Sequence, residues 1–197
     1  MKPLSLSKPH LIIMVGIPGS GKSFFAEHFA DTFKAPIISF HSLRKELFNS
    51  PTFSKNEDEI INRVANYILD EVLKTGRTVV YEGQTDLRTD RNFIAKKSRD
   101  AGYEPLFVWV QTEPATAKKR ATKPSADKTA LSVEQFNAGL KRFSTPHQIE
   151  KTIVISGKHT YASQLKIVLK RLVEPRVQIS EPANLVRPSG NRNILIR

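Results

Sequence analysis

Residues 11–25, LIIMVGIPGSGKSFF, hold an apolar run of five residues that breaks into a turn containing Gly16, Pro18, Gly19 and Gly21 and then resumes at Lys22-Ser23-Phe24-Phe25. Such a break is either a plain strand-to-helix turn or a cradle for phosphate. The spacing favours the cradle: residues 16–23, GIPGSGKS, satisfy G-x-x-x-x-G-K-[ST] at every fixed position, with a strand-like run before them and a helix-compatible segment after. Glycines let consecutive backbone N–H groups face one concavity, and the N-terminus of the following helix adds partial positive charge. Lys22 is spaced to reach terminal phosphates as a point charge, and the Ser23 hydroxyl to enter a Mg²⁺ shell, which prefers hard oxygen ligands. Gly16, Pro18, Gly19, Ser20, Gly21, Lys22, Ser23 and Phe24 are therefore the candidate nucleotide-binding residues.

Outward from this turn the chain alternates short apolar runs with helix-period segments. LIIMV (11–15), PIISF (36–40), TVVYE (78–82), LFVWV (106–110) and TIVIS (152–156) are nearly continuous in apolar character, as strands of a parallel sheet buried on both faces must be. In residues 56–74, Ile60, Ile61, Val64, Tyr67, Ile68 and Val72 share one helical face, and Gly76 follows as a stop. Further helices are predicted over 22–33, 88–101, 114–121, 132–143 and 160–172. Five strands interleaved with helices define an α/β sheet covered on both faces.

Bulk properties set the limits. With 197 residues, 39% of them hydrophobic, the chain suits one core. The expected organisation is an N-terminal extension (1–9), one nucleotide-binding domain (10–173) and an extended basic tail (174–197). The tail carries three prolines and four arginines against two glutamates, and a short strand at NILIR is an open alternative within it. The absence of cysteine excludes disulfide frameworks and thiolate metal sites. No secretory h-region precedes residue 11 and no apolar run is long enough to span a bilayer, so a cytoplasmic protein without membrane partners is the expectation. The formal net charge of +12 favours anionic partners, nucleic acid and nucleotides among them.

A Mg²⁺ site also needs a carboxylate near the end of a neighbouring strand, and Glu82 stands there, as a metal ligand directly or through water, or else as a solvated strand-end charge. Taken with GIPGSGKS, the segments LRKELF, VVYEGQTDLRTDRNFIAKKSRDAGY, VQTEPATAKKRATK, RFSTP and IVISG resemble, in order over residues 10–173, the AAA-type P-loop kinases grouped with phage polynucleotide kinase and zeta toxin. The resemblance implies a five-stranded parallel sheet in the order 2-3-1-4-5 and a helical lid after the fourth strand. It also implies transfer of the ATP γ-phosphate to a hydroxyl on a nucleoside, a polynucleotide 5′-end or a small molecule. Lys22, Arg120, His41 and Glu82 are the implied catalytic residues, with ATP and Mg²⁺ as cofactors.

Within the lid segment KKRATKPSADK, Lys118, Lys119, Arg120, Lys123 and Lys128 face only Asp127, and Arg120 occupies the place of the family's charge-stabilising arginine; a solvated basic helix end is the alternative. Gly157 belongs to a segment resembling the loop along the adenine ring. Arg44, Arg88 and Arg91 are candidate acceptor-binding residues, the latter two because cations at a helix start oppose its dipole. One position departs from the pattern: many relatives carry an aspartate three residues before the arginine of LRKELF, where this chain has His41. Histidine can accept a proton but brings no negative charge to orient a hydroxyl. Either Glu82 takes the aspartate's role or transfer is weakened or lost. The remaining alternatives are an ATP-binding module without transfer and a nucleic-acid-binding ATPase.

Overall fold

The computed structural model describes residues 8–124 and 130–173. Residues 1–7, lid residues Asp127 and Lys128, and the whole 174–197 tail with its NILIR segment lie outside the described residues. Five strands, β1 (His10–Val15), β2 (Ile37–Ser39), β3 (Val79–Glu82), β4 (Glu104–Gln111) and β5 (Ile153–Ser156), form one parallel sheet in the order β2-β3-β1-β4-β5. The helices are α1 (Lys22–Phe33), α2 (Phe40–Leu47), α3 (Lys55–Leu73), α4 (Arg88–Asp100), α5 (Pro114–Ala121), α6 (Val133–Arg142) and α7 (Tyr161–Val173), with a short 3-10 turn at Gln148–Glu150.

The continuous apolar character of β1 follows from its central position. Ile12 and Met14 pack with Phe25 and Phe29 of α1 and Val168 of α7 on one face. Leu11, Ile13 and Val15 pack with Ala65 and Leu69 of α3 and Ile94 of α4 on the other. Every β1 residue is buried, so no polar alternation is left in its sequence. A third cluster joins Ile17 of the glycine-rich turn to Ala117 of α5 and Phe136 of α6, so the helices after β4 are seated on that turn.

Helix α2 is the element absent from the sequence-based expectation, and its composition explains why. Its eight residues, FHSLRKEL, fully bury only Arg44, with Phe40 and Leu43 partly buried against the core. Phe40 reads in the sequence as the end of the apolar run 36–40, and the helix is only two turns long. It begins where Ser39 leaves β2 and caps it, the Ser42 N–H donating to Ser39 Oγ at 3.3 Å. Serine caps also open α3 at Ser54 and α6 at Ser132, the latter as a full capping box with Gln135. No helix among the described residues is long and apolar enough to cross a membrane.

Candidate active site

The turn after β1 is built for close approach. Gly16, Gly19 and Gly21 have φ of 148°, 73° and 105°. At Gly19 a Cβ would also stand 2.2 Å from the carbonyl oxygen of Ala117 on α5, so both conformation and space require glycine. The Ser20 N–H donates to the Ile17 carbonyl at 3.1 Å, and Thr112 Oγ1 donates to the Ser20 carbonyl at 2.8 Å, tying the turn to the end of β4. Pro18 lies against α6, where a Cβ at Gly139 would meet its ring at 2.9 Å. Helix α1 then starts at Gly21 with no side-chain cap and no acid in its first turn, leaving its leading N–H groups for an anion. Phe24 is 47% exposed and packs at a tilt against His28, with ring centroids 4.3 Å apart.

Lys22 folds back over this turn. Its Nζ donates to the carbonyls of Gly16 at 2.8 Å and Ile17 at 3.1 Å. Burial pushes the ammonium pKa down, against the opposing pull of the Glu82 and Asp86 carboxylates. The charge is thus held where an incoming polyphosphate would compensate it.

Glu82 ends β3, paired in register with Ser39 at the end of β2, and is 7% exposed. Both of its oxygens are engaged: Ser23 Oγ donates to Oε1 at 2.6 Å and Ser39 Oγ donates to Oε2 at 2.7 Å. A hydroxyl and a carboxylate in direct contact beside the phosphate turn fit Mg²⁺, which keeps waters and substrate oxygens and needs few protein ligands. No group of three or more His, Cys, Asp or Glu able to hold a metal occurs among the described residues. The protein's share of a metal shell would therefore be Ser23 and Glu82. Ser39 was not singled out in the sequence because a lone serine after an apolar pair carries no signal until β2 and β3 are seen side by side.

Asp86 is a second residue that sequence reasoning missed. It follows Glu82 by four residues, its carboxyl pKa is raised by burial against the pull of Lys22 and Arg142, and Arg142 Nε of α6 lies 3.8 Å from Oδ2. Its backbone is fixed, since the Ser144 N–H donates to its carbonyl at 2.8 Å and Thr85 Oγ1 next to it donates to the Met14 carbonyl at 2.8 Å. The usable signal was a further acid in the turn after a strand ending in Glu82.

The remaining candidates divide. Arg120 and Gly157 come together, Arg120 Nη1 donating to the Gly157 carbonyl at 3.0 Å. A Cβ at Gly157 would lie 2.0 Å from the Ser20 carbonyl oxygen, so this glycine is required by contact with the phosphate turn itself. A cavity of about 490 Å³ opens beside them, lined by Ile17, Thr112, Glu113, Leu140, Ser156 and Lys158. His41 sits in the first turn of α2, two residues beyond Ser39. Arg44, Arg88 and Arg91, the candidate acceptor-binding residues, differ in their partners. Arg44 is 8% exposed and donates to Glu57 Oε2 at 2.8 Å and to Asp58, with its guanidinium 4.7 Å over the Phe53 ring. Arg91 is wholly buried, donating from Nε to Glu150 Oε1 at 2.6 Å and from Nη1 to the Thr85 and Asp86 carbonyls. Buried cations need such partners, and the partners use their donors. Of the three, Arg88 alone remains exposed, as the first residue of α4.

Comparison with known proteins accords with this geometry. The family model described as AAA domain matches residues 11–146. A gluconokinase from Sinorhizobium meliloti 1021 superposes with a TM-score of 0.58 at 18% identity, over 83% of this chain and 91% of its own. The APS kinase of Mycobacterium tuberculosis, in complex with AMPPNP and APS, gives 0.63 at 18% identity over 84% and 98%. Kti12 of Chaetomium thermophilum, in complex with ADP-AlF3, gives 0.64 at 16% identity over 82% and 96%. At these identities the likeness is one of fold. No curated protein matches the chain in sequence.

Proposed function

The chain belongs to the AAA domain family, and from that premise we propose that it is an ATP-dependent kinase transferring the γ-phosphate to a hydroxyl acceptor. The observation that carries the reading is the contact of Ser23 and Ser39 with the two oxygens of Glu82 beside the Lys22 ammonium. That arrangement has the parts that phosphoryl transfer needs, namely positioning and compensation of spread negative charge. Bound ATP supplies the phosphoryl group, and Mg²⁺ supplies neutralisation of the phosphate oxygens. Ser23 and Glu82 would hold the metal, and Lys22 would turn from the Gly16 and Ile17 carbonyls to phosphate oxygens. Arg120 counters charge on the transferring group from the lid side. The acceptor proton goes to a base at the end of β2 or β3, with His41 and Asp86 the candidates. Cytoplasmic location completes the reading.

Binding of ATP with Mg²⁺ by calorimetry, followed by ADP formation against nucleosides, 5′-hydroxyl oligonucleotides, sugars and amino alcohols, tests it. Lys22→Ala should weaken ATP binding by at least about tenfold, roughly 1.4 kcal/mol, without unfolding the chain. Absence of ATP binding by the wild type refutes the reading. A second reading, an ATP-binding module without transfer, is favoured by His41 in place of the family aspartate; it predicts ATP binding with no acceptor-dependent ADP release.

A further inference from the structure

Between α3 and the turn joining β3 to α4 lies a cavity of about 100 Å³, lined by Asn62, Asn66, Tyr81, Gln84, Asp90 and Phe93. That is room for several waters, or for one small polar head group. Two acceptors on its lining residues, Asn66 Oδ1 and Asp90 Oδ2, are buried with no hydrogen-bond partner in the protein. Arg142 Nη2 approaches Asp90 Oδ2 only to 3.9 Å, beyond hydrogen-bond reach. Buried polar atoms are normally satisfied, so two unsatisfied acceptors in one cavity mark a place for donors.

The orientation of the amides is fixed from the backbone. Asn66 Nδ2 donates to the Asn62 main-chain carbonyl at 2.8 Å, which can only accept, so Asn66 Oδ1 is the atom left over. Asn66 Nδ2 is also 3.3 Å from Asn62 Oδ1, and Asn62 Nδ2 donates to Gln84 Oε1 at 2.8 Å. The relay therefore leaves an acceptor at the Asn66 end and the Gln84 Nε2 donors at the other. Burial and the Asp90 carboxylate push the Tyr81 hydroxyl pKa up, so it stays protonated. Gln84 stands two residues beyond Glu82 and two before Asp86, in the turn that edges the phosphate-transfer site.

We propose that this cavity binds a hydrogen-bond-donating head of the phosphate acceptor, a group bearing hydroxyls or an amine, and rejects an anionic one. The unpaired amide oxygen attracts O–H and N–H groups, the Gln84 amide and Tyr81 hydroxyl answer a ligand hydroxyl as donors, and the Asp90 charge repels phosphate or carboxylate oxygens. The Phe93 ring, 58% exposed, gives the carbon side of such a head an apolar surface. The inference rests on the kinase reading for the identity of its ligand as an acceptor. The cavity's preference is a separate property and is measured without nucleotide.

The test titrates the full chain, free of nucleotide, with D-ribose, myo-inositol and ethanolamine as donor probes and with ribose 5-phosphate and D-gluconate as anionic probes, followed by the side-chain amide resonances of Asn62, Asn66 and Gln84. At least one donor probe should saturate, the sugars and the amine telling hydroxyl from ammonium recognition. Asn66→Ala and the isosteric Asp90→Asn should each weaken that probe at least about tenfold, with affinity for ATP and Mg²⁺ held within about twofold. The proposal is overturned if no donor probe shifts these resonances, if an anionic probe binds as tightly, or if both folded variants bind the donor probe like wild type. A chain that fails to bind ATP but passes the probe titration sinks the kinase reading and leaves the cavity's preference standing.

Discussion

Replacing Arg91 with alanine distinguishes an anchoring arginine from a ligand-binding one. The guanidinium is fully buried, with its Nε and Nη2 on the two oxygens of Glu150 at 2.6 and 3.1 Å and its Nη1 on the carbonyls of Thr85 and Asp86 at 2.9 and 3.1 Å. Truncation leaves a buried carboxylate without its cation and the Thr85 carbonyl without a donor, while the Asp86 carbonyl keeps only the Ser144 N–H. Breaking a buried pair from one side costs about 3–5 kcal/mol. At about 2–4 °C per kcal/mol for a chain of this size, the melting midpoint should fall by about 6–20 °C. Burial raises the Glu150 carboxyl pKa, but the hydrogen bonds from Arg91 and the His147 N–H outweigh it and the net shift is downward. A depressed folded pKa contributes stability above the unfolded value that is lost as pH falls through the folded one. The gap between wild type and Arg91→Ala should therefore narrow as pH drops below about 4.5, and Glu150→Gln should show the same trend. Circular dichroism melts of the three proteins across that range measure it. A loss under about 1 kcal/mol, together with a selective rise in acceptor KM, would refute the anchoring role and return Arg91 to the substrate.

Three further outcomes are expected. Gly157→Ala places a Cβ 2.0 Å from the Ser20 carbonyl oxygen and 2.2 Å from Thr112 Oγ1, so it should displace the phosphate turn and weaken ATP binding at least about tenfold by calorimetry. Arg120→Ala should lower turnover far more than ATP affinity, because a lid cation acts on charge that develops during transfer; steady-state kinetics with unchanged kcat would assign it to the surface. Asp86 has a raised folded pKa, so its ionised form is disfavoured by folding and wild-type stability falls as pH rises through that value. Asp86→Asn should accordingly melt higher than wild type at about pH 8, with the advantage gone at about pH 4.

The parts of the site that were legible in the sequence are those whose determinants are local. The phosphate turn is specified by eight consecutive residues, and the five strands by apolar runs, which the central β3, β1 and β4 keep on both faces. The roles of Arg44 and Arg91 were not legible, because a charge in a sequence shows no partner. Glu57 lies 13 residues from Arg44, and Glu150 lies 59 from Arg91 on a 3-10 turn with no helical period to announce it. Helix α2 was hidden for a different reason: its apolar face is only Phe40, Leu43 and Leu47 over two turns, and Phe40 continues the strand-like run 36–40, so the period is too short to stand out.

The same pairing logic bears on the histidine at position 41. The resembled family carries an aspartate where this chain has His41, and here the carboxylates that pull on Lys22 are Glu82, the last residue of β3, and Asp86 in the turn after it. The ends of β2 and β3 are neighbours, Ser39 standing opposite Glu82 in the sheet register. Ser39 donates to Glu82, so what β2 delivers here is a hydroxyl that holds the β3 carboxylate in place. Glu82 then has both oxygens committed, one to Ser23 and one to Ser39, and a proton taken there would break a short hydrogen bond. Asp86 has no such commitment beyond a 3.8 Å approach by Arg142, and burial has already raised its affinity for a proton. Exchange of the two positions tests this division of labour. His41→Ala should leave most acceptor-dependent turnover in place, whereas Asp86→Asn should abolish it while ATP affinity is retained; the reverse pattern would make the imidazole the base and Asp86 a structural acid.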